Sequence, residues 1–403
     1  MDKFSSHIKN ILHGFFLAIG TTIAEPSTIL PLIVNYFGGS SMLVGFFASL
    51  LRGGGVLVQL FAAFHAQSYK LMMPYLRKVF FIRFSSWFFI GITIIIFGEN
   101  HPDITLASIG IGLFVFSFSA GFAAIYFREI MAKIFSHKFR GKTMAYRQFF
   151  SAVGGLLSGA LAAWILESFE APQSYGYLFI ISSFVMALGY ISFSLVEEPI
   201  KEEVSKKESS FGKFLKNSYA ILKADKGFQV QVGTFFLAYG YLIALPFIIL
   251  DAQQKIDLDG VAIGWLITTQ MVGAMLSNFL WGSLSSNGQN ILIAKAVIFF
   301  QIIAISLAFN ASSLYEYIAI FFLVGASMDG SRIASSNLVL KIAPADKRPI
   351  YIALQMNIVS LGMFFSILGG VVLHFFSYFV LYWVSLGTLF IALLLSLKLK
   401  ESA

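Results

Sequence analysis

Four charged side chains stand inside otherwise apolar stretches of this sequence: Glu25, Arg52, Asp329 and Arg332. At membrane depth such a charge costs about 3 kcal/mol on insertion scales, so it is kept for a cavity, an ion pair or a pathway. Glu25 precedes Pro26, which lacks an N–H and loosens a helix where a carboxyl group would face the interior. A carboxyl group there can carry a proton through the interior, which makes Glu25 the candidate for proton coupling. The same residue could instead form a structural pair with Arg52, one helix away at comparable depth. Asp329 and Arg332 are three residues apart, so they share a helix face and can neutralise each other. They lie in a run of small residues, Gly325 to Arg332, that lets helices approach closely or break at a binding site.

Uncharged polar groups join these four at similar positions: Gln59, Gln270, Asn278, Asn337, Gln355 and Asn357, with Tyr239 and Tyr241. Together with Arg52, Asp329 and Arg332 they are candidates for solute contact or gating. Arg128, Glu129, Arg140, Arg147 and Arg348 fall near the ends of apolar stretches and are candidates for a cytoplasmic gate, although arginines at helix ends also snorkel to the interface. Other chemistry finds no residues to carry it. The six histidines make no metal-ligand spacing, no Gly-x-x-x-x-Gly-Lys phosphate loop is present, and there is no cysteine. No nucleophile and base are arranged for catalysis, so neither an enzyme nor a cofactor is expected.

The elements that must position these side chains follow from composition. Of 403 residues, 58% are apolar, 16% aromatic and only 12% charged, which argues against a water-soluble globule. A bilayer core about 30 Å thick needs about 20 apolar residues per helical span. Stretches of that kind occupy 11–36, 42–66, 79–98, 104–131, 145–167, 174–196, 227–250, 260–283, 291–310, 315–342, 349–375 and 378–397. They predict an all-α integral membrane protein of twelve transmembrane helices. Strands are disfavoured because runs such as Ile181 to Phe184 do not alternate. The first stretch is too long, and contains Glu25, Pro26 and Pro31, so it is not a cleavable signal. The polar positions fall in spans 1, 2, 7, 8, 10 and 11, which predicts that these line a polar cavity. Spans 3, 6, 9 and 12 then serve as lipid-facing struts.

The formal charge of +8 reports orientation rather than a nucleic-acid partner, because the basic residues are unevenly placed. Arg77, Lys78, Lys133, Lys138, Arg140, Lys142, Lys341, Lys347 and Arg348 all fall in even-numbered connections, whereas the odd ones hold Lys255 and mostly acids. Both termini are therefore expected in the cytoplasm of a bacterial cell. The connection of residues 199–226 is dense in lysine and glutamate, and Phe211 to Leu222 has the spacing of an amphipathic helix lying on an anionic leaflet. That linker separates two halves, 1–198 and 227–403. Phe15-Phe16-Leu17-Ala18-Ile19-Gly20 recurs as Phe235-Phe236-Leu237-Ala238-Tyr239-Gly240, Leu30-Pro31 as Leu245-Pro246, and Lys133-Ile134 with Arg140 as Lys341-Ile342 with Arg348. Because spans 1 and 7 start on the same side, the halves read as parallel six-helix repeats.

Twelve spans, internal termini, parallel halves and a basic middle loop together resemble the major facilitator superfamily of secondary transporters, and the likeness covers nearly the whole chain. Its best local support is Lys133 to Arg140-Gly141, which resembles the superfamily's acidic-residue-to-Arg-Gly spacing with lysine in place of the acid, and its echo at Lys341 to Arg348. The loop between spans 2 and 3 departs from the superfamily's Gly-x-x-x-Asp-Arg pattern around Ala63 to Lys70, and the later copy at Gly282 has Ser286-Asn287-Gly288 instead. The resemblance implies a secondary active transporter of the inner membrane, working as a monomer in the lipid bilayer by alternating access on a small-molecule substrate and protons. A proton-driven exporter of amphipathic drugs is the alternative, weakened by the missing span 4 arginine and by Ala160 after Gly159. A sensor or assembly partner that kept the fold and lost transport is a further one.

Overall fold

The computed structural model describes residues 3–23, 25, 27–66, 69–200, 222–344 and 348–400. The amphipathic helix expected in the linker falls largely on residues 201–221, outside the described ones. Among the described residues every regular element is helical. The chain packs as two units: one comprises Met1–Gly39, Leu50–Glu208 and Leu258–Thr268, the other Ser40–Ser49, Ser209–Asp257 and Thr269–Ala403.

The first unit contains α1 (Lys3–Thr22), α2 (Ile29–Tyr36), the end of α3 (Ser41–Gly53), α4 (Val56–Ala66), α5 (Met73–Phe97), α6 (Pro102–Ile134), α7 (His137–Ser168) and α8 (Gln173–Ser194). Here α1 packs against α7 and α8, α5 against α6 and α8, and α4 against α6. The fully buried Trp87 sits at the centre, with its ring centroid 3.9 Å from that of Phe116 and 5.0 Å from that of Phe179.

The second unit contains α9 (Lys226–Leu237), a 3-10 turn over Ala238–Ile243, α10 (Leu245–Lys255), most of α11 (Gly260–Ser286), α12 (Asn290–Ala308), α13 (Leu314–Ile342), α14 (Arg348–Ser360), a second 3-10 turn over Leu361–Phe364, α15 (Phe365–Phe375) and α16 (Tyr378–Ser396). Its α12 packs on α13 and α16. Trp281 is buried and its Nε1 donates to the Ala326 carbonyl at 2.8 Å. Helices α11 and α13 touch backbone to backbone at Gly325, where a Cβ would lie 1.9 Å from the Gln270 carbonyl oxygen.

Eleven helical segments among the described residues are long and apolar enough to cross a membrane. The twelfth expected span, 11–36, is two helices in sequence, because the chain leaves α1 at Thr22 and re-enters a helix at Ile29. The repeat does the same: α9 passes into the 3-10 turn, and Pro246 in the first turn of α10 starts the helix anew, since its ring has no N–H to continue the old one. In both halves the helix restarts at the Leu-Pro sequence, α2 at Ile29 and α10 at Leu245, whereas α1 runs past its Phe-Phe-Leu-Ala sequence to Thr22 and α9 ends inside the recurring one at Leu237. The expected second span is also interrupted, at Gly54-Gly55, where Gly55 lies against Gly121 of α6. Large apolar side chains such as Phe81, Ile96, Trp164, Phe279 and Leu394 are exposed on the helices, a surface suited to acyl chains rather than water.

Candidate functional site

In the first unit the break between α1 and α2 puts a carboxylate where a continuous helix could not. Glu25 bridges the gap through its backbone, its N–H donating to the Thr22 carbonyl and its own carbonyl accepting from Thr28 N. Its side chain is thereby free to turn inward. Glu25 Oε1 accepts from Arg52 Nη2 at 2.9 Å and from Ser27 Oγ at 2.8 Å. The pair is largely withdrawn from solvent, with side-chain exposures of 12% for Arg52 and 14% for Glu25. Arg52 comes from the last turn of α3, just before the glycine break, and its Nη1 is buried with no partner among the described residues. Thr28 Oγ1, in the same turn as Glu25, is likewise buried with no partner among the described residues. Gln59 is partly buried further along, on α4.

Arg147 lies within helix α7, which begins at His137, upstream of the expected span 145–167. Its Nη1 donates to the Asn10 carbonyl at 3.0 Å, to Asn10 Oδ1 at 3.3 Å and to His13 Nδ1 at 2.7 Å. Of the other gate candidates in this unit, Arg128 is exposed, and Glu129 and Arg140 are partly buried.

In the second unit Asp329 is the centre of a small cluster. It accepts from Asn278 Nδ2 at 2.8 Å and from Arg332 Nη2 at 2.6 Å, the arginine being 69% exposed. Gln355 is buried, accepts from Gln231 Nε2 and donates to both Ser335 O and Ser335 Oγ, tying α9, α13 and α14 together. Tyr239 and Tyr241 both sit on the 3-10 turn, with ring centroids 6.4 Å apart and near-parallel planes. Gln270 is buried with Nε2 3.6 Å from Met328 Sδ. Asn357 donates to Ala353 O on its own helix, and Asn337 reaches Ser285 and Asn290. The side chain of Arg348 lies outside the described ones.

Several buried polar groups escaped the sequence reading, among them Arg83, Asp251 and His13. Arg83 stood near the edge of the expected span 79–98; α5 begins at Met73 instead, and Arg83 is buried with Nε on Tyr190 Oη at 2.9 Å and Nη1 on Phe116 O at 2.8 Å. Asp251 lay one residue past the expected span 227–250, whereas α10 runs to Lys255 and buries it. Its Oδ2 accepts from Lys255 Nζ at 2.8 Å and Tyr382 Oη at 2.9 Å. His13 counted only as one of six scattered histidines and is 3% exposed. Span-by-span mapping of charge could have found Arg83 and Asp251 had the helix ends been set a turn further out.

No group of histidine, aspartate and glutamate among the described residues could hold a metal ion. What the arrangement offers is ion-paired carboxylates in each unit and polar groups at helix breaks, which suit reversible binding of a polar solute or a proton rather than bond-making chemistry.

A family model described as Major Facilitator Superfamily matches residues 10–254 and 230–403. No curated protein matches the chain by sequence. Among solved structures it is similar to the nucleoside transporter NupG, with a TM-score of 0.79 and 11% identity over 98% of this chain and 99% of that one. It is similar to a D-xylose-proton symporter, with a TM-score of 0.74 and 14% identity over 99% and 98%. A bacterial homologue of the human lysosomal transporter Spinster gives a TM-score of 0.66 and 14% identity over 99% and 98%. At such identities the likeness is one of fold.

Proposed function

The chain belongs to the major facilitator superfamily, as a secondary transporter and not an enzyme, and from that premise we propose that it couples the movement of a small polar solute to protons across the bacterial cytoplasmic membrane. It does so by alternating access, as a monomer with both termini in the cytoplasm. The observation that carries the coupling is the Glu25–Arg52 pair at the break in the first span. A proton on Glu25 removes the charge that holds Arg52, so the two groups can separate and the arginine, whose Nη1 already lacks a partner, can turn to a solute. Deprotonation restores the pair. Binding of solute and binding of a proton are then linked through one guanidinium, which is the requirement for coupled transport. Asp329, Asn278 and Arg332 are the corresponding polar group of the second unit and are proposed to contact solute or gate its passage.

The experiment uses the purified chain in liposomes with a pH-sensitive dye inside. D-xylose and a nucleoside are reasonable first probes, being the solutes named for similar structures, followed by small organic anions. Solute entry should be accompanied by a pH change inside the vesicle. Uptake that proceeds with no pH change, and that an imposed pH gradient neither accelerates nor slows, would remove the proton from the scheme.

A further inference from the structure

We infer that Arg147 is the receptor for an anionic oxygen group, a carboxylate or a phosphate, on the transported solute; this deepens the transport reading above and rests on it. The first observation is a missing counter-charge. Arg52 faces Glu25, Arg332 faces Asp329 and Lys255 faces Asp251, but among the described residues no carboxylate pairs with Arg147 or with Arg83. Both guanidiniums are drawn into the interior of the first unit, and they border one aromatic box. Arg83 donates to Tyr190, and the Tyr190 ring centroid is 6.1 Å from that of His13, which itself binds Arg147. Guanidiniums taken out of water are costly unless an anion answers them.

The second observation is how Arg147 is held. Its Nη1 is fixed by Asn10 and His13, both buried, while its guanidinium carbon lies 4.7 Å above the Phe127 ring. Room for the side chain is made by Gly14, where a Cβ would stand 2.6 Å from Arg147 Cγ. A guanidinium only donates, so His13 Nδ1 must present its lone pair, and the ring proton sits on Nε2. That Nε2 is buried without a hydrogen-bond partner among the described residues, and the ring lies among those of Phe80, Phe127 and Phe193. The imidazole therefore serves Arg147 alone.

The third observation is what is left over. Arg147 as a residue is partly exposed, and its Nε and Nη2 have no acceptor among the described residues. These two N–H groups form one edge of the planar fork, the edge that meets two oxygens of a carboxylate or phosphate in parallel hydrogen bonds. A rotamer locked from behind and open in front loses little entropy on binding.

The test is thermal unfolding of the purified full chain in neutral detergent, titrated with succinate and with inorganic phosphate at an ionic strength held constant with sodium chloride. The wild-type protein should show a saturable rise of several degrees with at least one of them. Arg147→Gln, which removes an unpaired interior cation and so should still fold, should lose that rise. Arg147→Lys should keep it at a higher ligand concentration, and Arg77→Gln should leave it unchanged. No saturable rise with either anion, or one that survives Arg147→Gln, overturns the inference. A rise produced by phosphatidylglycerol and by neither soluble anion overturns it in favour of a lipid headgroup. Because the readout needs no gradient, loss of proton coupling in a Glu25→Gln protein leaves it intact, and the two readings fail separately.

Discussion

Glu25 Oε1 and Arg52 Nη2 are 2.9 Å apart, and the contact exists because the chain stops being helical between Thr22 and Ile29. An unbroken helix would use the Glu25 backbone for the ladder and leave the direction of its side chain to the 3.6-residue repeat. The break lets Glu25 complete a turn through its own N–H and carbonyl and present the carboxylate to α3. The proposed coupling role and the structural role thus fall on one pair, and substitution can tell them apart.

Glu25→Gln leaves Arg52 without its partner in a site mostly shielded from solvent. Removal of one member of such a pair costs about 3 kcal/mol, so the melting temperature should fall, and Arg52→Gln added to it should restore most of the loss. Independently of stability, Glu25→Gln should abolish solute accumulation driven by a pH gradient in proteoliposomes. A folded Glu25→Gln protein with unchanged pH-driven accumulation would eliminate the coupling role.

Gly325 is fixed by contact and Gly387 is not. A Cβ at Gly325 would collide with the Gln270 carbonyl oxygen, which is backbone and cannot swing aside, while nothing lies within 4 Å of a Cβ at Gly387. Gly325→Ala should therefore force α11 and α13 apart and lower the melting temperature by several degrees. Gly387→Ala, in the interior of α16, should raise stability by about 0.5–1 kcal/mol through helix propensity alone. Equal melting temperatures for the two variants would contradict the packing described.

Asp251 anchors α10 to α16. Removing the Tyr382 hydroxyl takes one donor from a buried carboxylate, so Tyr382→Phe should cost about 2 kcal/mol. The same substitution made in an Asp251→Asn background should cost less, because the charge that strengthened the bond is gone. Additive losses in the double-variant cycle would show that the two side chains do not interact.

The topology can be read chemically, since the chain has no native cysteine. Single cysteines replacing Ser209, in the basic linker, and Ser313, at the start of α13, should be labelled by an impermeant maleimide from opposite faces of the membrane. Labelling of both from one face would refute the charge-based orientation.

The sequence by itself determined that this chain lives in a bilayer, that it repeats, and that Glu25, Arg52, Asp329 and Arg332 are its exceptional residues. Those conclusions are local: a span must carry about 20 apolar residues, and a charge within it stands out whatever its neighbours are. Asp329 with Arg332 was legible for the same reason, being three residues apart on one helix. Even the break in the first span was signalled, by Pro26.

Only the tertiary structure decided which polar groups are buried together. His13 and Arg147 come from α1 and α7, Arg83 and Tyr190 from α5 and α8, and Asp251 and Tyr382 from α10 and α16. Hydropathy sets where an apolar stretch begins and ends, but not where the helix does. Residues just outside the apolar window, such as Asp251, therefore fall beyond the expected span although the helix continues through them. Partner choice is less visible still. A polar side chain near the end of a span can reach the interface when its helix stands alone, and is held in the interior only when a neighbouring helix supplies its hydrogen bonds. That supply depends on which faces pack, a property of the assembled chain that no single segment carries.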